Sequence, residues 1–245
     1  MKMAATRKST FLCSALLALS LGASVVHAKE AVDARQPRDF HPALRRLGVA
    51  ENAPVLLGGS TFEGEEILLA ETLQTLRKTI PGLFLIVVPR HFERSAGVAR
   101  DLESLGLRVA RRTQASGLEN PDVLVVDTTG ELREWYACAT VVFIGKSYFA
   151  KGGQNPAEPI AAGVPVVFGP HMQNFASLTQ QLLRENGAFE VRSPDDLVAT
   201  VGRLLFDPAL RCQASANATN ALAFHRGAAS RTCEKLDEIT SPTSR

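Results

Sequence analysis

The segment VLLGGSTFEGEEILLAETLQTLRKTIPGLFLIVVP (residues 55–89) decides the fold class. Two apolar runs, residues 55–57 and 83–88, flank a stretch with helical spacing, residues 64–80. One stripe of this helix is predicted to face the core through Leu69, Leu73, Leu76 and Ile80. The Pro81-Gly82 pair then ends the helix. A strand, helix and strand with short connections are typical of a right-handed crossover in a parallel sheet.

The alternation of apolar runs and helical patterns continues without an evident linker to residue 206. Further strands are predicted at residues 109, 123–126, 141–144, 164–168 and 189. Helices are predicted at residues 95–105, 130–138, 156–162, 175–185, 194–206 and 208–226. Because each connection is short, right-handed crossovers into one parallel sheet are the simplest topology. We therefore predict an α/β fold, a doubly wound, Rossmann-like parallel sheet over residues 54–226 that ends in a C-terminal helix.

The composition excludes several protein classes. With 245 residues, 45% of them hydrophobic and 21% charged, the chain is typical of a globular protein rather than a disordered, collagen-like or coiled-coil one. The low aromatic content of 6% favours an α/β fold over a β-sandwich. Beyond residue 50 there are 19 basic and 22 acidic residues, which argues against a nucleic-acid partner. The four cysteines lack the spacing of a disulfide framework or a structural zinc site, so no metal is expected.

The first 28 residues have the form of a secretory signal. Basic residues near the start precede an uncharged run, residues 11–26, and Val26-His27-Ala28 resembles a cleavage site. Three interpretations stay open, namely a cleaved signal, an uncleaved membrane anchor, and a mis-assigned start or unrelated leader.

Polar segments flank the predicted domain on both sides. Residues 29–53 contain Pro37 and Pro42 and are predicted to form a linker with one short amphipathic turn at residues 43–47. Residues 227–245 are predicted to form a tail. The organised domain is therefore expected to begin at residue 54.

Polar segments also follow the predicted strands, where open α/β sheets bind their ligands. In residues 58–64, Ser60 and Glu63 fit a helix-capping box, although the same amides and hydroxyls suit an anion. In residues 89–94, Arg90 can bind a phosphate or carboxylate with two hydrogen bonds. The alternative is a solvated helix start in which Glu93 and Arg94 pair, and His91 is a weaker candidate for a catalytic base.

Three later junctions have a similar composition. Within residues 127–132, Thr128 or Thr129 can cap a helix, or the nearby amides can bind a ligand. Within residues 151–159, Asn155 is placed as the helix cap, Pro156 at the first helical position, and Glu158 two residues later. Glu158 can accept hydrogen bonds from a ribose diol or bond back to the cap. The diglycine at 152–153 has no evident use in a cap, which favours a ligand, and residues 168–175 add His171, a structural or substrate-binding histidine.

Five motifs together resemble the C-terminal half of the 3-deoxy-D-manno-octulosonic acid (Kdo) transferases of lipopolysaccharide synthesis. The motifs are GSTFEGEE (59–66), VPRHFER (88–94), DTTGEL (127–132), GGQNPAEP (152–159) and GPHMQNF (169–175). The resemblance covers roughly residues 38–226. It implies one half of a GT-B glycosyltransferase that binds CMP-Kdo, without a metal or other cofactor, for inverting transfer to the lipid A precursor.

The resemblance also implies particular contacts. The cytidine monophosphate (CMP) contacts would be Pro89, Arg90, Thr129, Gly130, Glu131, Asn155, Pro156, Ala157 and Glu158. Ser60 and Thr61 would lie near the donor sugar. The chain differs from the family at Gln154, where histidine is common, and in length. The family's N-terminal acceptor domain, which supplies the general base, has no counterpart here, so no catalytic residue is assigned.

The resemblance and the leader imply different locations. CMP-Kdo is used at the cytoplasmic face of the inner membrane, whereas a secretory leader implies export to the periplasm. Besides a Kdo transferase that needs a partner acceptor domain, we therefore consider a non-catalytic CMP-binding remnant or an exported binding module. An epimerase with a related GT-B half fits the five motifs less well. A sheet without its partner domain is also expected to expose an apolar face and to self-associate.

Overall fold

The structure, a computed structural model, describes residues 38–114 and 120–225. Seven strands form one sheet: β1 Val55–Thr61, β2 Phe84–Pro89, β3 Val109–Arg111, β4 Val123–Val125, β5 Val141–Ile144, β6 Val166–Phe168 and β7 Ala188–Glu190. Their order is β3-β4-β2-β1-β5-β6-β7, and every pair of neighbours is parallel. The predicted α/β fold with one doubly wound parallel sheet is thus confirmed.

Helices cover both faces of this sheet. They are α1 His41–Arg46, α2 Glu65–Leu76, α3 Ser95–Ser104, α4 Leu132–Tyr136, α5 Ala157–Ala161, α6 Ala176–Arg184, α7 Pro194–Phe206 and α8 Pro208–His225. The buried side chains of α2, α3 and α7 form one cluster with alternate strand residues such as Leu56 and Phe143. Those of α1, α4, α5, α6 and α8 form a second cluster with the other strand residues, such as Leu57 and Ile144. The strands are therefore buried on both faces, as parallel strands usually are.

The predicted elements lie close to the observed ones. Strand β5 and helix α7 have the predicted bounds, and α7 begins where Ser193 Oγ accepts a hydrogen bond from the Asp196 amide at 3.1 Å. Strand β1 is longer than predicted because it continues through both glycines to Thr61. The predicted helix at residues 130–138 shortens to α4.

The segment predicted to be a linker contains a helix of the domain. Helix α1 precedes β1, and Phe40, Leu44 and Leu47 are all buried in the core. The Phe40 ring stacks on the ring of Trp135 in α4, with centroids 4.2 Å apart. Packed structure therefore begins before residue 54, which corrects the expected start of the domain.

Several predicted features lie outside the described residues. These are the leader at residues 1–28, the first part of the linker, and the tail at residues 227–245. Within the two described ranges, no helix is both long enough and apolar enough to cross a membrane.

A buried carboxylate joins two strands at the amino-terminal edge of the sheet. Asp122, which directly precedes β4, accepts hydrogen bonds from the Arg77 guanidinium and from the amide and guanidinium of Arg108. Burial alone would raise the pKa of Asp122, but these hydrogen bonds outweigh burial and hold the pKa below its usual 3.8. Because Asp122 is more acidic in the folded chain, its contribution to stability is present above about pH 4 and is lost at lower pH.

We expect the Asp122→Asn variant to be less stable than the wild type by about 2 kcal/mol at pH 7, since it loses charge-assisted hydrogen bonds. The difference should shrink as the pH falls below about 4, because Asp122 of the unfolded chain takes up a proton there, whereas the folded chain takes it up only at lower pH. Urea unfolding at pH 7 and pH 3 measures both values. Asp101→Asn, an exposed aspartate of α3, is the matched control. A difference that is the same at both pH values would contradict this account.

Candidate functional site

The direction of chain winding reverses at β1. From β1 the chain passes first to β2 on one side and later to β5 on the other. In open α/β sheets, ligands bind outside the carboxyl ends of the strands at such a reversal. Here the reversal brings together Ser60 and Thr61 at the end of β1 and Gly145 and Lys146 after β5. We therefore take this edge as the candidate site.

Glu65, the first residue of α2, connects the two loops at this edge. Its Oε2 accepts hydrogen bonds from the amides of Phe62 and Lys146, both at 2.8 Å. Its Oε1 accepts from the amides of Ser147 and Tyr148 at 2.9 and 3.0 Å. Burial raises the pKa of the fully buried Glu65 carboxyl, and the four N–H donors oppose that rise. With both oxygens occupied, the carboxylate fixes one loop against the other.

The backbone at this edge is unusually close and strained. Ser60 and Lys146 have left-handed φ values of 54° and 56°. A Cβ atom on Gly145 would lie 2.1 Å from the Ser60 carbonyl oxygen, so only glycine fits there. Ser60 does not cap α2, because the helix begins after Gly64 without a side-chain cap. The predicted capping box of Ser60 and Glu63 is therefore wrong.

Arg90 lies at the end of β2, next to the β1 loop. Its amide donates to the Thr61 carbonyl oxygen at 3.0 Å, and its side chain is exposed. No ion pair of Arg90 occurs within the described residues. The guanidinium is therefore available to a ligand.

The Arg94 guanidinium, unlike that of Arg90, forms an ion pair within the protein. Its guanidinium donates to Glu66 at 3.0 Å, and Glu66 also accepts a hydrogen bond from the Thr61 hydroxyl. The predicted alternative, in which Glu93 pairs with Arg94, is thus replaced by a pair between Arg94 and Glu66. His91 is exposed, and its ring meets the Phe62 ring edge-on at 5.7 Å.

The loop after β4 presents mainly its backbone. The Glu131 carboxylate accepts a hydrogen bond from Thr128 at 2.5 Å and lies 3.6 Å from Arg112, so this side chain is buried. Thr129 and Gly130 are exposed, and Gly130 has a φ of 74°. Of the three CMP contacts predicted in this loop, Thr129 and Gly130 therefore face solvent, whereas the Glu131 carboxylate is used internally.

The diglycine loop after β5 is attached to the reversal point. The amide of Gly153 donates to the Lys146 carbonyl oxygen at 2.9 Å, and the amide of Gln154 to the Gly145 carbonyl oxygen at 3.1 Å. Gly152 and Gly153 have φ values of 116° and 71°. The diglycine thus has a structural use that the sequence did not reveal, because it turns the chain back towards β5.

The motif that follows the diglycine lies at the start of α5. Asn155 Oδ1 accepts a hydrogen bond from the Ala157 amide at 3.0 Å, and Asn155 Nδ2 donates to Glu158 at 3.3 Å. This agrees with a capping role for Asn155, although the helix starts at Ala157, one residue later than predicted. The Glu158 side chain is exposed and keeps oxygen lone pairs for a ligand.

A further serine, which sequence reasoning missed, links two of the loops. Ser147 is buried, and its hydroxyl donates to the Ile144 carbonyl oxygen and accepts from the Gly169 amide at 2.8 Å. Its carbonyl oxygen accepts from the amide of His171, which is half-buried. The fifth sequence motif is thereby placed beside the fourth, as the strand order predicts.

All eleven predicted site residues lie at the carboxyl ends of four adjacent strands or in the segments that follow them, in the order β4, β2, β1 and β5. They are Thr129, Gly130, Glu131, Pro89, Arg90, Ser60, Thr61, Asn155, Pro156, Ala157 and Glu158. Their roles as ligand contacts stay predictions. Among the described residues, two of the three large apolar side chains that are exposed, Phe92 and Phe149, lie in segments at the same edge. Self-association through this face also stays a prediction.

Other places in the fold offer less chemistry. A cleft of about 480 Å³ opens at the opposite, amino-terminal edge, where Asn52, Arg77 and Asp122 line it, and no predicted site residue borders it. Among residues 38–114 and 120–225, no group of three or more His, Cys, Asp or Glu side chains is placed to hold a metal ion.

Comparison with known proteins identifies relatives of this domain. The 3-deoxy-D-manno-octulosonic acid transferase of Bordetella pertussis is 38% identical over 196 residues, which are 77% of this chain and 45% of that protein. The C-terminal CMP-Kdo binding domain of WaaA from Acinetobacter baumannii is 30% identical and superposes with a TM-score of 0.68. The match covers 75% of this chain and 97% of that domain. This chain belongs to the Kdo transferase family.

The resemblance of the five motifs to Kdo transferases is thus confirmed. The fold is that of one GT-B glycosyltransferase domain, as in a glycosyltransferase from Rickettsia africae that superposes with a TM-score of 0.62 at 14% identity. That match covers 86% of this Kdo transferase homologue and 54% of the Rickettsia chain. No family model matches the chain. The homologue spans less than half the length of the Bordetella relative.

Proposed function

We propose that this chain binds CMP-Kdo as the donor-binding half of a Kdo transferase of lipopolysaccharide synthesis. The observation that carries the proposal is the match to a domain described as binding CMP-Kdo, which covers nearly the whole length of that domain. It is supported by the loops after β4, β2, β1 and β5, which present their polar groups at one edge of the sheet.

The exposed groups suit the parts of the nucleotide. The Arg90 guanidinium fits the phosphate, because it is planar, charged and without an internal partner among the described residues. Glu158 is exposed next to Asn155 and fits the ribose hydroxyls as a hydrogen-bond acceptor. Thr129 and Gly130 are exposed in the loop after β4, so Arg90 lies between them and Glu158 along the edge of the sheet. Their backbone fits the remaining polar atoms of the nucleotide.

Transfer of Kdo also requires a general base. The acceptor hydroxyl attacks the anomeric carbon, CMP departs, and the hydroxyl proton passes to the base. Three carboxylates near this edge are already bonded internally, namely Glu65 to four amides, Glu66 to Arg94, and Glu131 to Thr128. As the resemblance to the Kdo transferases implies, we place the base on an acceptor half that also binds the lipid A precursor, and we place the reaction at the cytoplasmic face of the inner membrane.

Calorimetric titration of the full chain with CMP tests this proposal. We expect CMP to bind more tightly than UMP. Arg90→Ala and Glu158→Ala should each lower the affinity for CMP by about ten- to a hundredfold, since each removes a charged hydrogen bond. Arg100→Ala and Glu103→Ala on the exposed face of α3 are matched controls and should leave the affinity unchanged.

Two outcomes would contradict the proposal at different levels. A folded wild type that does not bind CMP would overturn the function. Wild-type binding that is unchanged in both Arg90→Ala and Glu158→Ala would overturn only the assignment of the site. If CMP binds but no transfer occurs with an acceptor half present, the chain is a non-catalytic binding module.

A further inference from the structure

Lys146 has a conformation that lysine rarely adopts. Its φ of 56° lies in the left-handed region, which costs free energy for residues other than glycine, asparagine and aspartate. Residues held in such conformations cluster at functional sites, where the surrounding structure fixes them. Lys146 follows β5 at the reversal point of the sheet, which is the expected position of a ligand.

The surrounding hydrogen bonds hold Lys146 in this conformation. Its amide donates to Glu65 at 2.8 Å, and its carbonyl oxygen accepts from Gly153 at 2.9 Å. The preceding residue, Gly145, is in close contact with Ser60. The backbone of Lys146 is thus fixed on both sides, so the direction in which its side chain leaves the loop is set as well.

The ammonium group of Lys146 is left without a counter-charge. It lies 5.1 Å from the centroid of the Phe62 ring, which is a cation–π contact. Within residues 38–114 and 120–225, no carboxylate forms an ion pair with it. The neighbouring carboxylates, Glu65 and Glu66, are occupied by backbone amides and by Arg94. A half-buried positive charge therefore remains at the reversal point.

Lys146 and Arg90 lie on opposite sides of β1. Arg90 directly follows β2 and Lys146 follows β5, so one strand separates them and their backbones are about 10 Å apart. Both side chains are long enough to reach one small ligand between them. CMP-Kdo carries two anionic groups on its anomeric carbon, the phosphate and the sugar carboxylate, and the site offers two separate cations.

We propose that Lys146 binds the carboxylate of the donor sugar, held in position by Glu65, while Arg90 binds the phosphate. This assignment rests on the proposed CMP-Kdo binding and makes Lys146 a residue that selects sugar acids over neutral sugars. It accounts for a lysine in a conformation that glycine would adopt without cost.

The test compares three ligands by calorimetry on the full chain. They are CMP, an analogue of CMP-Kdo with a methylene group in place of the glycosidic oxygen, and the same analogue with its sugar carboxylate reduced to a hydroxymethyl group. We expect the wild type to bind the carboxylate analogue about tenfold more tightly than the hydroxymethyl analogue, as one charged hydrogen bond would give.

Two variants separate the side chain from the backbone. Lys146→Gly removes the ammonium but adopts the left-handed conformation freely, so its melting temperature should equal or exceed that of the wild type. This variant should bind the carboxylate and hydroxymethyl analogues equally well. Its affinity for CMP should stay within about twofold of the wild type, a smaller change than the loss of one charged hydrogen bond would cause. Lys146→Arg should keep most of the preference.

Each alternative result has a distinct meaning. Two results overturn the role of Lys146 alone. One is a Lys146→Gly variant that still prefers the carboxylate analogue over the hydroxymethyl analogue, and the other is a wild type that binds CMP but does not distinguish the two analogues. An equal loss for CMP and for the carboxylate analogue makes Lys146 a phosphate contact and also overturns the inference. A wild type that does not bind CMP overturns the proposed function and this inference with it.

Discussion

Replacing Glu65 with glutamine is expected to lower the free energy of unfolding by about 3 kcal/mol and to abolish CMP binding. The two Glu65 oxygens accept four backbone N–H groups, two on each oxygen. A glutamine side chain offers one oxygen and one NH2 group, so two N–H groups lose their acceptor and face a donor instead. Each buried N–H without an acceptor costs about 1–3 kcal/mol.

Glu63→Gln is the matched control for this variant. Glu63 is exposed in the same loop, so its replacement should change stability by less than about 0.5 kcal/mol. Urea unfolding followed by circular dichroism, together with CMP titration, measures both variants. If Glu65→Gln is as stable as Glu63→Gln, the four hydrogen bonds do not hold the two loops together.

Trp135→Ala is expected to destabilise the domain by about 3–5 kcal/mol. Trp135 is fully buried in α4, and its ring stacks on Phe40, which directly precedes α1. Removing the indole leaves a large cavity and takes away the surface against which Phe40 packs. The loss should therefore include release of α1 from the domain.

The control for this prediction is Trp135→Phe. Phenylalanine keeps an aromatic ring against Phe40 and removes the indole N–H, which has no hydrogen-bond partner in the described structure, so it should cost far less than alanine. Because Trp135 is the only tryptophan, unfolding must be followed by circular dichroism rather than by tryptophan fluorescence. Equal stability of the alanine and phenylalanine variants would show that the stack does not hold α1.

The strand and helix pattern was predictable because it depends on local features. Apolar runs bounded by Gly or Pro defined β5 and its neighbours, and helical spacing from Pro194 onward defined α7. The position of the site was also predictable, since the carboxyl ends of parallel strands meet at one edge. The predicted contacts at Arg90 and Glu158 lie at that edge as exposed side chains.

The features that were missed depend on contacts distant in sequence. Phe40 is buried in contact with the ring of Trp135, and no local pattern reveals that partner. The sequence predicted Glu63 as the bonded glutamate of its loop, but β1 continues to Thr61 and shifts the helix start. Glu65 then faces the amides after β5, which lie more than 80 residues away in sequence.

Strand β1 leaves the ribosome well before one of its two neighbours in the sheet. It ends at Thr61, whereas β5, which pairs with its second edge, begins at Val141. At about 5–20 residues per second, the roughly 80 residues between them take about 4–16 s to synthesise. During that time the nascent chain carries an apolar strand with an open edge, a surface on which strands from other chains can add. The strand that is central in the finished sheet is thus the one most exposed to aggregation during translation.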